Sequence, residues 1–231
     1  MATIHLIRLL LVLVVFSSCR SLSYFDSPNN LRNIDGTLFL KNGKSYSGKL
    51  VVETENAFSR PVKVFTEEDK KPMQFSLQDV KGYTSRNAYY DLKEIKEGIS
   101  FGKQLYFMRR LTPEKSRMHL YELLKKTTVN KTSVKHTPEF YLKLPSEDSN
   151  MVYAANGSRF VPHFEEKVSK LVKDCPFLAQ KIAEKQDGYF YAQVSLLKDR
   201  RAEVLLKIIN EYNSCAAFMP GQTQTGNGNI Q

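Results

Sequence analysis

Few residues of this 231-residue chain have the types and spacing that chemistry requires. Beyond the first twenty residues there are three histidines, His119, His136 and His163. None lies in an HExxH pattern or at close ligand spacing, so they read as surface or core histidines and not as a metal set. Gly157-Ser158 lacks the GxSxG frame that exposes a nucleophile on a strand-to-helix elbow. Neither GxxxxGK followed by Ser or Thr nor GxGxxG occurs, so no cradle for nucleotide phosphates is indicated. Carboxylates cluster at Glu67-Glu68-Asp69 and Glu165-Glu166, in polar stretches where solvated charge is the plain reading. The expectation is a protein without a catalytic, metal or cofactor site. A hydrolase acting on glycan or peptide stays open as the alternative, because two catalytic carboxylates can be far apart in sequence.

Cysteine chemistry is better marked. The chain opens with one cation, Arg8, followed by the apolar run Leu-Leu-Leu-Val-Leu-Val-Val-Phe at 9–16. Such a run is too short for a ~30 Å hydrocarbon core, which needs about 20 residues. It has the length of a secretory h-region. Phe16-Ser17-Ser18-Cys19 follows and resembles the lipobox of bacterial lipoproteins, with Phe16 where that pattern usually has Leu. The resemblance implies that residues 1–18 are a removable signal and that Cys19 carries diacylglycerol and an acylated amine. Two or three acyl chains give stable anchoring without a spanning helix. Arg20 stands where an Asp often marks inner-membrane retention, and no acidic cluster follows Cys19. Both features lean toward the outer membrane, facing the periplasm.

With Cys19 lipidated, Cys175 and Cys215 remain, an even number in an oxidising compartment. A bridge between them would close about 40 residues and constrain the unfolded chain by roughly 4 kcal/mol. Two buried thiols are the alternative. There is no CxxC pair.

Charge is the regional anomaly. The chain carries 34 Lys and Arg against 24 Asp and Glu, a net +10. Residues 101–143 concentrate it, with Lys103, Arg109, Arg110, Lys115, Arg117, Lys125, Lys126, Lys131, Lys135 and Lys143 against Glu114, Glu122 and Glu139. Tyr106, Phe107 and Tyr121 are interleaved. Arg109, Arg110, Arg117, Lys125 and Lys126 are candidates for an anion-binding patch, facing an anionic lipid surface or a polyanion. The same residues could form a solvated basic face. Nucleic acid would need this patch too, but an envelope address disfavours it.

The elements that must position these residues are mostly strands. Residues 20–33 are polar and rich in turn formers, and with Cys19 they read as a flexible linker (19–33). From Gly36 the pattern alternates, and Asn42-Gly43 between apolar runs predicts a hairpin with a type I′ turn. Further strands are expected at 61–65, 73–77, 79–83, 88–95, 104–108, 140–144 and 151–154. A second hairpin turn at Asn156-Gly157 would lead to a strand at 159–161. Segment 111–126 reads as a turn followed by a strand over 117–125, with a capped helix as the alternative. After Pro162 the period becomes helical. Helices are expected around 163–173, from Phe177 to Ala183, and over 199–213. Cys175 then starts the second helix and Cys215 ends the third. The sum is an α+β fold: a mostly antiparallel, barrel-like or sandwich-like β region (34–161), a small helical region packed on it (162–215), and a disordered tail (216–231).

Three groups of residues carry a family resemblance. They are Gly36-Thr-Leu-Phe-Leu-Lys-Asn-Gly-Lys-Ser-Tyr-Ser-Gly48, Phe107-Met-Arg-Arg-Leu-Thr-Pro113 with His119-Leu-Tyr121, and Asp174-Cys-Pro176 with Tyr212-Asn213. Together with the lipobox they make the chain similar to a set of uncharacterised lipoproteins of Bacteroidetes, over most of the mature length. That resemblance implies an envelope lipoprotein and no particular activity. The expected function is a membrane-anchored, non-enzymatic binding or scaffolding module. An accessory subunit of an outer-membrane assembly or transport complex is a further alternative.

Overall fold

The structure is a computed structural model that describes residues 22–55, 60–66, 71–96, 105–130, 133–145, 147, 150–191 and 200–215. The expected signal, Cys19 and the tail from 216 lie outside the described residues. The chain divides into two compact units, Met1–Asn87 and Ala88–Gln231.

The regular elements described in the first unit are all strands. It contains β1 (Tyr24–Ser27), β2 (Asn30–Leu40), β3 (Ser45–Glu53), β4 (Val62–Phe65), β5 (Met73–Phe75) and β6 (Val80–Ser85). Their order is β5-β4-β3-β2-β6, and β1 pairs with the start of β2. Alternation explains the burial: Val62 and Val64 of β4 are fully buried beside Leu50 and Val52 of β3, while Lys63 and Phe65 point out. Tyr83 is fully buried and donates its hydroxyl to the Pro28 carbonyl at 2.7 Å.

Two expectations are corrected in this unit. Residues 24–33 are not linker: Phe25 pairs with Leu31, a fully buried core residue, so this stretch belongs to the sheet. The β2–β3 hairpin exists, but its turn is not type I′. Only Gly43 has positive φ, and Leu40 and Lys44 bracket a three-residue loop through Leu40 N–H to Lys44 O at 2.9 Å. The Asn42 side chain accepts from Lys44 N–H at 3.0 Å, which favours this longer loop.

The second unit holds β7 (Ala88–Ile95), β8 (Leu105–Arg110), β9 (His119–Asn130), β10 (Ser133–Lys143) and β11 (Met151–Ala154), then α1 (Phe164–Leu171), α2 (Pro176–Ala183) and α3 (Arg201–Ser214). The strands form an antiparallel meander that closes when β11 pairs in parallel with β7, at Met151–Glu94 and Val152–Ile95. Alternate residues serve two cores. Tyr121, Leu123, Tyr141, Val152 and Ala154 pack inside with Met108. Leu120, Leu142 and Tyr153 face outward and pack with Phe164, Leu178, Ile208 and Tyr212 of the helices. The α+β architecture, with a large and mostly antiparallel sheet and helices after it, is as expected.

Segment 111–126 takes the turn-and-strand form, with β9 beginning at His119. The expected strand at 159–161 is replaced by turns. Phe160 is drawn into the helical core, and Pro162, on a cis bond, has no N–H for a ladder. The three helices fall where the period changes.

Candidate functional site

The barrel of the second unit contains charge where apolar packing would be the rule. Asp91 and Lys93, two apart on β7, are both buried. Asp91 accepts the Tyr121 hydroxyl at 2.9 Å and lies 3.4 Å from the Arg110 guanidinium. Arg110 stacks on Tyr89 at 4.1 Å, and the Lys93 ammonium sits 5.2 Å from the Tyr121 ring centroid. Burial, then the neighbouring carboxylate, pushes the Tyr121 hydroxyl far above its ordinary range. His119 is buried, with Nδ1 3.1 Å from Thr112 Oγ1. Burial, then Lys143, Arg110 and Lys93, lowers its pKa to about 4, so its imidazole is neutral near pH 7. The group can hold protons in place. Its carboxylate, Asp91, bonds to Tyr121 and Arg110, and its imidazole, His119, faces Thr112. Sequence reading missed Asp91 and Lys93, because β7 is buried on both faces and its charges looked like the solvated half of an alternating strand.

A second cluster joins the 112–118 turn to the helices. Arg117 meets Asp174 at 2.6 Å and the Tyr212 hydroxyl at 3.0 Å, and its guanidinium stacks on the Tyr212 ring at 4.5 Å. Asn213 Oδ1 accepts from Arg117 N–H and Met118 N–H, each at 2.9 Å, and its amide donates to Met118 O at 3.0 Å. Cys175 and Cys215 are bonded beside this clasp, at the start of α2 and the end of α3, with Cα atoms 6.1 Å apart. The Asp174-Cys-Pro176 and Tyr212-Asn213 motifs are therefore one structural joint.

The first unit has a polar cleft of about 230 Å³ lined by Asn29, Asn30, Arg32, Glu53, Glu55 and Arg60. Glu53 is bridged by Arg32 and by Arg60, the latter at 2.9 Å. Burial opposes ionisation there, yet the two guanidinium groups hold the carboxyl below its ordinary range. Glu55 accepts the Ser27 hydroxyl.

The five cations proposed for an anion patch are dispersed. Arg110 is inside the barrel with Asp91. Arg109, on the opposite face of β8, is exposed and 3.5 Å from Glu122. Arg117 is held in the clasp. Lys125 and Lys126 are both exposed on the distal part of β9 but on opposite faces, and Lys125 reaches Glu139 at 3.2 Å. Among the described residues that distal part is a two-stranded ribbon. Described pairings of β8 with β9 end at Arg109–Glu122, and β11 pairs with β10 only at Tyr141 and Leu142. Further out, β9 and β10 pair with each other as far as Asn130–Ser133. Residues 125–127 and 134–138 are all exposed, on both faces of the ribbon.

Among the described residues there is no cluster of His, Cys, Asp or Glu suited to a metal, and no helix long and apolar enough to cross a membrane. Comparison with protein families, curated proteins and solved structures yields no match to this chain.

Proposed function

We propose that this chain is a bacterial envelope lipoprotein, anchored through Cys19, that binds or scaffolds a partner without transforming it. The observation that carries the reading is the Cys175–Cys215 bond. Disulfides persist in oxidising compartments, and the sequence ahead of Cys19 has the form of an export signal ending in a lipobox. The resemblance to Bacteroidetes lipoproteins supports the same address, and Arg20 supports the outer membrane, periplasmic side. A binding role draws support from the chemistry of the polar groups. Asp91, Arg110, Tyr121 and His119 are engaged with one another or with Thr112, as a rigid interior would be. Net charge and the exposed lysines of β9 and β10 favour an anionic partner.

The hydrolase reading has one observation behind it, the cleft with Glu53 and Glu55. Its Glu53 is held ionised by two arginines, the opposite of the raised pKa that a general acid needs.

Intact mass of the protein extracted from its native membrane tests the anchor. A chain beginning at Cys19 with added acyl mass is expected, together with no free thiol at Cys175 or Cys215. The acyl mass should disappear in Cys19→Ala. An unlipidated chain in the membrane fraction would overturn the reading.

A further inference from the structure

We propose that the distal β9–β10 ribbon is a membrane-docking arm, in which Lys125, Lys126 and Lys135 engage anionic lipid head groups. This rests on the envelope reading above and names the partner of the basic region.

The first argument is exposure. Strands normally bury at least one face, yet residues 125–127 and 134–138 are exposed on both. An isolated two-stranded ribbon is marginal in water, and a ribbon exposed on both faces gains little from its own packing. Val134 is 46% exposed, one of few described large apolar side chains so open to solvent. Such a ribbon fits contact with something outside the chain.

The second argument is the register, which spreads positive charge over both faces. Lys125 lies opposite Thr137, and Lys135 opposite Thr127, on one face. Lys126 lies opposite His136 on the other. The only acid on the described ribbon is Glu139, at its base, where it meets Lys125. Between the lysines stand threonines and Pro138, short side chains that let a flat charged surface come close.

The third argument selects the occupant. A protein strand added to either edge would need open backbone donors and tolerable neighbours. Lysines on exposed strands oppose such addition, and Pro138 has no N–H to offer. An anionic surface needs neither, since it is attracted through ammonium groups whichever face it meets. A lipid anchor on the same chain would hold the domain where that surface is.

Vesicle co-sedimentation tests this with the mature chain from residue 19 carrying Cys19→Ala. That change removes the anchoring lipid and leaves every described residue in place. Probes are vesicles of phosphatidylglycerol with phosphatidylcholine in equal parts, and vesicles of phosphatidylcholine alone. Binding is expected only to the first, and weaker at high salt. Each lysine near an anionic surface contributes roughly fivefold in affinity, so Lys125→Gln, Lys126→Gln and Lys135→Gln together should weaken binding at least about fivefold, and about a hundredfold if all three engage. The variant should keep the parent's near-ultraviolet circular dichroism and melting midpoint, because these side chains are exposed. Arg109→Gln, an exposed cation outside the ribbon, should change binding severalfold at most. The proposal is overturned if the parent ignores anionic vesicles, or if the triple variant binds them as the parent does. Tighter binding to a single-stranded oligonucleotide than to the vesicles, lost in the same triple variant, would also overturn it. Anionic-vesicle binding by a chain whose native form lacks acyl mass would support the arm and refute the anchor.

Discussion

His119 shows how one buried side chain makes stability depend on pH. Its folded pKa, about 4, lies below the ordinary 6.5 because burial and three nearby cations disfavour the imidazolium. The unfolded chain therefore takes up a proton first as pH falls. The His119 contribution to stability is full above about 6.5, declines by on the order of 2 kcal/mol as pH drops toward 4, and stays lost below that. Urea midpoints at pH 7 and pH 4.5 should differ in the parent, and the difference should shrink in His119→Gln. Asp91 makes a second case. Its side chain and that of Arg110 are 5% and 10% exposed, so removing one leaves a buried charge uncompensated. Asp91→Ala should cost about 3–5 kcal/mol, and Asp91→Ala with Arg110→Met distinctly less, as read from chemical denaturation. Neither residue stood out in sequence. His119 looked like any isolated histidine, and Asp91 like the outward half of an alternating strand. Their character comes from β7, β8 and β9 coming together around them, which is long-range information. Cys175 and Cys215 were legible, because parity and helix ends are local properties.

At the scale of elements, backbone proximity decides which positions must be glycine. Gly36 of β2 pairs with Gly48 of β3. A Cβ on Gly36 would lie 2.3 Å from the Thr84 carbonyl oxygen of β6 and 2.7 Å from Leu50 Cδ1. A carbonyl in a sheet has little freedom to retreat, so Gly36→Ala should destabilise by about 2 kcal/mol or more. The thermal midpoint checks this, with Gly43→Ala as a milder comparison set by its φ of 84° alone. Most strands and all three helices were legible from period and turn residues. The failures share a cause. Residues 24–33 contain Asp, Ser, Pro and three Asn, a linker composition, but Phe25 and Leu31 supply the sheet contacts that overrule it. Arg159-Phe160-Val161 has strand composition, but Phe160 is claimed by the helical core. The β2–β3 loop length turned on one Asn42 side-chain bond, beneath the reach of a dipeptide rule.

At the scale of the molecule, the second unit depends on one covalent link between α2 and α3. The loop of 40 residues closed by Cys175–Cys215 constrains the unfolded chain by roughly 4 kcal/mol. Reduction, or Cys175→Ser with Cys215→Ser, should lower the denaturant midpoint by a matching amount. The Arg117–Asp174–Tyr212 clasp should loosen with it, because Asp174 and Tyr212 flank the bridge. The division after Asn87 was not legible, since strands run on either side of it without a change in composition. The early start of the first unit has a further consequence. Ser23 donates to Asn33 O at 3.1 Å and the Asn33 amide donates to Leu22 O at 3.3 Å, so the sheet already grips the chain at Leu22. An acylated Cys19 would then stand only three residues, about 10 Å, from fixed structure. Such a mooring leaves almost no slack. Leu22, 90% exposed, would ride close to the head groups, and the first unit could itself sweep only a thin layer of space along the bilayer.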